Sequence, residues 1–379
     1  MNQNYQYITT AIERDQAVSR LSRAGIIGVD TEGDSLYSYQ EKVSLIQISG
    51  EEMNYIFDPL LLDTLQPLSA LLEERSILKI FHGADYDLVS LKRDFGFKIG
   101  PIFDTALAAR AIGLKEFSLQ NLIERYFQAP LSKTHQKSNW SIRPLPPAQL
   151  EYAYQDTAYL VRLYQILKEE VEKRGRSDQI EEECRLLEAI TWNGKLFEPH
   201  DYLRIKGARA LFPQSQQVLR ELGVVRDRFA KERNRPAFKV ISNDDLLILA
   251  KNPPLNEEDL KRLFPRESAP AHRNRSLWLQ AVSTGLKKTD PLPKREKSRP
   301  EPMTPAQEKL LTKLKMWRNK QAEIEGVEPA MVLTTTVLKE IAVAKPATIE
   351  AIQSTPSLRR WQMNRYGAAI LKEISNPPA

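Results

Sequence analysis

A single cysteine, Cys184, stands in the 379 residues of this chain, which excludes an internal disulfide framework and any thiolate zinc site. It falls in the helical run from Ile180 to Ile190 and reads as a small buried apolar side chain. Histidine is scarce too, with four residues; His135, His200 and His272 are isolated from other chemistry-bearing groups, and no role follows for them. No apolar run is long enough to span a bilayer. The opening Met1-Asn2-Gln3-Asn4-Tyr5 lacks the basic and apolar regions of a secretion signal. Together these absences point to a cytoplasmic protein with no membrane partner, and no obligate protein partner can be read from the sequence.

What is present is ordinary in bulk: 41% hydrophobic and 27% charged residues. A chain of this length forms more than one domain, since single cores seldom grow past about 250–300 residues. Net charge is +6, with a sequence pI near 9.1, a balance that favours a polyanionic partner without proving one.

The first half alternates strands and helices. Ile26–Asp30, Val43–Ile48 and Asn54–Phe57 read as strands in quick succession, which suggests an antiparallel meander, and Ile77–Phe81 as a further strand. Helices are expected over Leu65–Leu72, Tyr86–Asp94, Thr105–Ile112 and Leu119–Phe127, and as one long helix over Pro147–Glu172. The pattern predicts an α/β layer domain with a mixed sheet, spanning residues 1–190.

Beyond about residue 180 helical periodicity dominates, and two segments resemble each other. In each, Pro-Ala (Pro236-Ala237, Pro329-Ala330) opens an apolar run, hydroxyl or amide residues precede a helix (244–249, 337–342), and proline ends it. The duplication predicts two all-α modules, 205–286 and 304–375, joined by a basic, proline-rich linker, 287–303. Arg226, Arg228, Lys231, Arg233 and Arg235 make the first module strongly basic, either to meet phosphates or as a solvated helix face.

The acidic residues carry the chemistry. Asp30 and Glu32, one residue apart on a strand, project from the same face. Asp87 lies near a helix start, where acid is favoured by the helix dipole, with Asp85 as a rival. Tyr152 and Asp156, four apart on a helix, share a face. Carboxylates gathered from distant segments repel by roughly 4 kcal/mol per pair at about 4 Å and an effective dielectric near 20, unless cations join them. Hard oxygen-only ligands suit Mg²⁺ or Mn²⁺. Lys133, Gln136, Lys137, Trp140 and Arg143 form a basic stretch ahead of the last helix. They are placed to hold terminal nucleotides, with packing as the alternative for Trp140.

In this order the strand acid pair, helix acid and helical Tyr-x-x-x-Asp resemble the DEDD superfamily of 3′–5′ exonucleases, tyrosine subtype. The histidine subtype would place His where Glu151 stands. Phe81 to Leu88, Phe103-Asp104-Thr105, Leu119 to Leu122, Ser138 to Leu145 and Gln149 to Leu160 are similar to ribonuclease D, and the duplicated modules resemble the HRDC domain. The family usually has Asp where this chain has Asn139.

The resemblance implies a ribonuclease H-like exonuclease fold followed by two HRDC-like domains. It implies a two-ion mechanism with Asp30, Glu32, Asp87 and Asp156 as metal ligands, and Tyr152 orienting water or phosphate. The expected activity releases nucleoside 5′-monophosphates from RNA 3′ ends, as in tRNA processing. A DNA exonuclease and a non-catalytic RNA-binding adaptor are the alternatives. His82 is expected to support the loop before Asp87.

Overall fold

The structure is a computed structural model that describes residues 5–51, 53–131, 134–192, 194, 197–198, 200–290 and 302–375. Most of the expected linker, residues 291–301, therefore lies outside the described residues. Packing divides the chain into two units. One comprises Met1–Glu32, Val43–Trp192 and Arg299–Ala379; the other comprises Gly33–Lys42 and Asn193–Ser298.

The first unit contains a six-stranded sheet of β1 (Tyr5–Ile8), β2 (Ile26–Gly33), β3 (Val43–Ser49), β4 (Asn54–Phe57), β5 (Leu78–Phe81) and β6 (Ile102–Asp104), in the order β1-β4-β3-β2-β5-β6. The three strands read as a meander are neighbours, with β3 and β4 antiparallel. β1, β5 and β6 extend the sheet by parallel pairings, so it is mixed. Every residue of β3 is buried, as an interior strand covered on both faces requires.

Helices α1 (Ala11–Leu21), α2 (Gln66–Glu73), α3 (Asp85–Phe95), α4 (Thr105–Ala111), α5 (Leu119–Phe127), α6 (Pro147–Ala158), α7 (Leu160–Lys173) and α8 (Ser177–Glu188) accompany this sheet. A capping box between Thr10 and Glu13 starts α1, and left-handed Gly96 ends α3. Cys184 is buried on α8, and burial pushes its thiol up to about 12, an inert structural thiol.

The single helix expected over Pro147–Glu172 is two helices, broken at Tyr159 (φ −103°, ψ −9°). Tertiary contacts override the local periodicity here. Thr157 hydrogen-bonds Ser49 on β3, which holds the end of α6 against the sheet. Gly28 of β2 admits the same turn: a Cβ there would fall 2.9 Å from Leu160 Cβ and 3.1 Å from the Thr157 carbonyl.

In the second unit, α9 (Pro213–Glu232), α10 (Ala237–Val240), α11 (Asn243–Lys251), α12 (Glu257–Leu263), α13 (Pro270–Arg273) and α14 (Arg275–Lys287) form the first helical repeat around fully buried Trp278. The second repeat, in the first unit, has α15 (Pro305–Glu325), α16 (Pro329–Val332), α17 (Thr335–Ala344), α18 (Ile349–Gln353) and α19 (Arg360–Ser375) around Leu314, Leu338, Ile341 and Ile370.

The duplication extends to hydrogen bonds. Ser242 and Thr334 cap α11 and α17. Arg226 donates to the Ile241 carbonyl and Asn243, and Arg318 to the Leu333 carbonyl and Thr335, 15 and 17 residues ahead in both copies. Arg226 is thus a structural brace rather than a phosphate contact, and burial lowers its pKa. The linker's first residues are also held: Asp290 accepts from Gln217 and pairs with Arg220 at 3.0 Å.

Replacing Gly28 by alanine should destabilise the protein by about 1–3 kcal/mol, the usual cost of overpacking. Urea unfolding measures it, and an unchanged midpoint would mean that β2 and the α6–α7 turn are not packed this closely.

Candidate active site

β2 presents Asp30 and Glu32 on one face, and α6 brings Asp156 to them. One carboxylate oxygen from each of these residues lies within 4.8 Å of the other two. Asp87 enters from the first turn of α3 and is buried, whereas Asp85 and Tyr86 are exposed. Thr31, between the two strand acids, donates its hydroxyl to Asp87 and ties it to β2.

The start of α3 is fixed from below. Buried Asp104 accepts from the Ala84 amide at 2.7 Å and from the Ala106 and Leu107 amides at the start of α4. His82 meets Thr105 Oγ1 at 2.9 Å, so it supports the loop before Asp87, as read from the sequence. The Tyr152 phenol and Asp156 lie one helical turn apart on α6, close enough to influence each other's ionisation.

Electrostatics set this cluster apart from an ordinary polar cleft. Burial, reinforced by the negative charges of Asp87, Asp156 and Glu32, holds Asp30 well above the usual carboxylate range. Glu32 is raised by burial and by Asp156 and Asp87. Burial pushes Asp87 up to about 7 against the opposing bond from Thr31, and Asp156 up to about 7 against that from Tyr152. Burial and the neighbouring acids also raise Tyr152 above its ordinary value. Among the described residues, several oxygens crowd one half-buried point with no side-chain cation paired to them. That donor set fits hard divalent metal and is poorly stable without it.

The basic stretch divides. Lys133 lies outside the described residues, and Gln136 and Lys137 are exposed. Arg143 has a different task from the one its sequence position suggested. It grips fully buried Asp58 with two nitrogens (2.8 Å for Nη2–Oδ1) and donates to the carbonyls of Ser44, Trp140 and Ile142. Tyr7 donates to the same Asp58. Trp140 is 1% exposed and packs against Tyr152 at a centroid distance of 5.9 Å, so it is a wall of the site, not a stacking platform. Asn139 accepts from Ser141 and shapes the turn before Arg143.

The structure adds what the sequence did not show. The His135 ring stands edge-on to Tyr152, 6.1 Å between centroids, opposite in kind to the tilted Trp140. An isolated loop histidine carries no periodic signal, so only the fold reveals this neighbour. Thr31 was hidden between the two acids it serves.

A half-buried carboxylate cluster on a mixed sheet, flanked by a phenol, defines the class: residues 5–172 match the 3'-5' exonuclease family, and residues 215–282 and 307–374 match the HRDC domain. Among curated relatives, ribonuclease D of Desulfotalea psychrophila is 31% identical over 338 residues, 88% of this chain and 89% of that protein. That of Nitrobacter hamburgensis is 30% identical over 376 residues, 96% and 94%. The catalytic core of RRP6 from Trypanosoma brucei superposes with a TM-score of 0.66 at 28% identity, covering 74% of this chain and 79% of that one. Escherichia coli RNase D shares the fold over 100% of both chains (TM-score 0.69, 24% identity). The chain belongs to the ribonuclease D family of 3′–5′ exoribonucleases. The family's chemistry depends on divalent metal, and the carboxylate cluster supplies a place for it. Among the described residues, no helix is long and apolar enough to cross a membrane.

Two outcomes follow. Raised aspartate pKa values stabilise the fold fully below the unfolded value, about 3.9, and that contribution is lost as pH rises through about 7. Metal-free protein should therefore lose thermal stability between about pH 4 and pH 7. Asp156→Asn should flatten that slope, and divalent metal should raise Tm most at the alkaline end. Calorimetry showing equal slopes in both proteins, with no metal effect, would argue against a crowded cluster. Arg143→Ala should cost about 3–5 kcal/mol by leaving Asp58 buried and unpaired. A change confined to KM, with stability intact, would return Arg143 to the substrate.

Proposed function

We propose that the chain hydrolyses RNA from its 3′ end, one nucleoside 5′-monophosphate at a time, with tRNA precursors or other structured RNAs bearing short single-stranded tails as substrates. The observation that carries this reading is the meeting of Asp30, Glu32 and Asp156 within 4.8 Å, with Asp87 tied in through Thr31 and Tyr152 one helical turn from Asp156. We assign the exonuclease to residues 1–190, the helical modules to 205–286 and 304–375, and the linker to 287–303.

Asp30, Glu32 and Asp156 would hold one Mg²⁺ or Mn²⁺ ion, with Asp30 and Asp87 serving a second. Such a pair, when bound, lowers the pKa of water and offsets charge on the attacking and leaving oxygens. The protein's own contribution is positional. Thr31 and Asp104 keep Asp87 at its post, and the Ser49–Thr157 bond keeps Asp156 at its own. Tyr152 is raised above its ordinary pKa, so it stays protonated at neutral pH and acts as a donor that orients the attacking water or the scissile phosphate. Trp140 and His135 hold its ring on two sides. Lys133, Gln136 and Lys137 are assigned to the backbone of the terminal nucleotides. Water attacks phosphorus, the bond to the 3′ oxygen of the preceding nucleotide breaks, and the shortened RNA keeps a 3′ hydroxyl.

Purified protein should release 5′-monophosphates from 3′-hydroxyl RNA with Mg²⁺ or Mn²⁺ and stop on addition of EDTA. Asp30→Asn and Asp156→Asn should abolish turnover while keeping the fold by circular dichroism. Tyr152→Phe should lower kcat by about 10²-fold, as loss of one positioned donor does. Metal-independent cleavage or cutting of circular RNA would overturn the mechanism, and faster turnover of matched DNA would reassign the substrate.

A further inference from the structure

Helix α8 is rich in acid, and its carboxylates are divided between two neighbours. Asp178, Glu182 and Glu183 meet the second repeat, whereas Glu188, its last residue, meets the sheet. Glu182 accepts the amides of Arg360 and Trp361, both at 2.8 Å. These are first-turn amides of α19, which have no acceptor inside their own helix, so α8 supplies the cap of α19. Glu183 accepts from the Trp361 indole at 3.1 Å, and Asp178 pairs with Arg365 at 3.4 Å. Arg176, just ahead of α8, reaches Glu325 at the end of α15.

The far end of α8 holds the elements that carry Asp87. The Glu188 carboxylate accepts the Ile102 amide of β6 at 3.0 Å. It is seated so closely that a Cβ on Gly100 would fall 2.9 Å from its Oε2. Lys92 of α3 donates to the carbonyls of Glu188 and Ile190, at 2.5 and 2.7 Å. β6 ends in Asp104, whose carboxylate holds the Ala84 amide at the start of α3. Helix α3 is therefore gripped at its start through β6 and near its end through Lys92. Both grips lead to α8. Cys184, the only cysteine of the chain, is buried on α8 between the two sets of contacts.

From this series of contacts we propose that Glu188 and Lys92 are positioning residues for the hydrolysis, and that the docked second repeat serves the reaction by holding α8 against α3. Thr31 fixes the Asp87 carboxylate from β2, and α8 fixes the helix behind it. Lys92 and Asp87 stand five residues apart on one helix, so a shift of α8 carries the carboxylate with it. A displacement of about 1 Å at a catalytic group can cost about 10²-fold in rate. Loss of a bond that orients a metal ligand costs about 10–100-fold in metal affinity or activity. The neighbouring acids repel Asp87, which makes its place depend on such bracing. Coupling between two sites is reciprocal, so metal at the cluster steadies α8 in return.

The inference rests on Asp87 serving metal, as proposed above. Three measurements on the full chain test it: kcat and KM on single-stranded RNA, the Mn²⁺ concentration that gives half-maximal rate, and the rate at which dithiobis(nitrobenzoic acid) labels Cys184. Glu188→Ala should lower kcat by about tenfold at unchanged KM, raise the Mn²⁺ requirement by about tenfold and speed the labelling. Glu188→Gln, which keeps an acceptor for the Ile102 amide, should recover most of each. Glu182→Ala, on the side of the second repeat, should move all three measurements in the same direction as Glu188→Ala. In the wild-type protein Mn²⁺ should slow the labelling, and Asp87→Asn should remove that protection. Variants that lose only Tm, with kcat and Mn²⁺ requirement unchanged, would make α8 a structural strut and overturn the proposal. A rise in KM alone for Glu182→Ala would turn the second repeat into an RNA contact and refute it as well. Mn²⁺ that leaves wild-type labelling unchanged overturns the coupling whether or not the protein degrades RNA. Slowed labelling in a protein that degrades no RNA would support the coupling and strike the proposed function alone.

Discussion

Mutual repulsion among buried carboxylates is the constraint on which this structure turns. Among the described residues, Asp30, Glu32 and Asp156 are half-buried, Asp87 is buried, and no side-chain cation is paired with them, so each raises the cost of ionising the others. A protein tolerates such a cluster only if the surrounding fold holds it together in advance of its ligand. The supports here are short-ranged: the Thr31 hydroxyl, the backbone amides collected by Asp104, and the Ser49–Thr157 pair. None of them neutralises the charge, which leaves that task to divalent metal. Strength is placed where it does not interfere, as in the Arg143–Asp58 brace under the loop that carries Trp140.

Much of this was legible in the residues because period and spacing encode it directly. One-residue separation on a strand put Asp30 and Glu32 on one face, and a spacing of four put Tyr152 beside Asp156. The duplicated Pro-Ala, cap and stop signals exposed the repeats, since these depend on backbone geometry that neighbouring residues specify. What escaped depends on partners remote in sequence. The break at Tyr159 arises from Ser49 and Gly28, more than a hundred residues earlier, and nothing in the local pattern of α6 and α7 reveals it. Arg143 looked like a phosphate ligand because its destination, Asp58, closes a strand 85 residues away. Likewise β1 joins the sheet beside β4, across an intervening helix and two strands.

The two repeats show how one scaffold can acquire separate uses without altering its core. Arg226 and Arg318 make the same internal bonds, and Asn234 and Gly326 turn the chain in the same way. Buried positions keep apolar residues, as in Ile241 against Leu333 and Leu260 against Ile352, whereas outward-facing ones change in charge, as in Arg233 against Glu325. Surface substitutions away from caps and braces cost little stability, so the charge of an outward face can change while the shared helical frame is kept.

Neither packing unit is continuous in sequence. The unit that holds the sheet is completed by the last repeat, and the other recruits Gly33–Lys42 from within the nuclease half. During synthesis on the ribosome, Tyr39 therefore emerges long before its partners Asp227 and Asn234, and Arg176 long before Glu325. Full assembly of the carboxylate-bearing layer with its docked repeat must await synthesis of the second repeat, so the layer is made well before the helices that complete its unit.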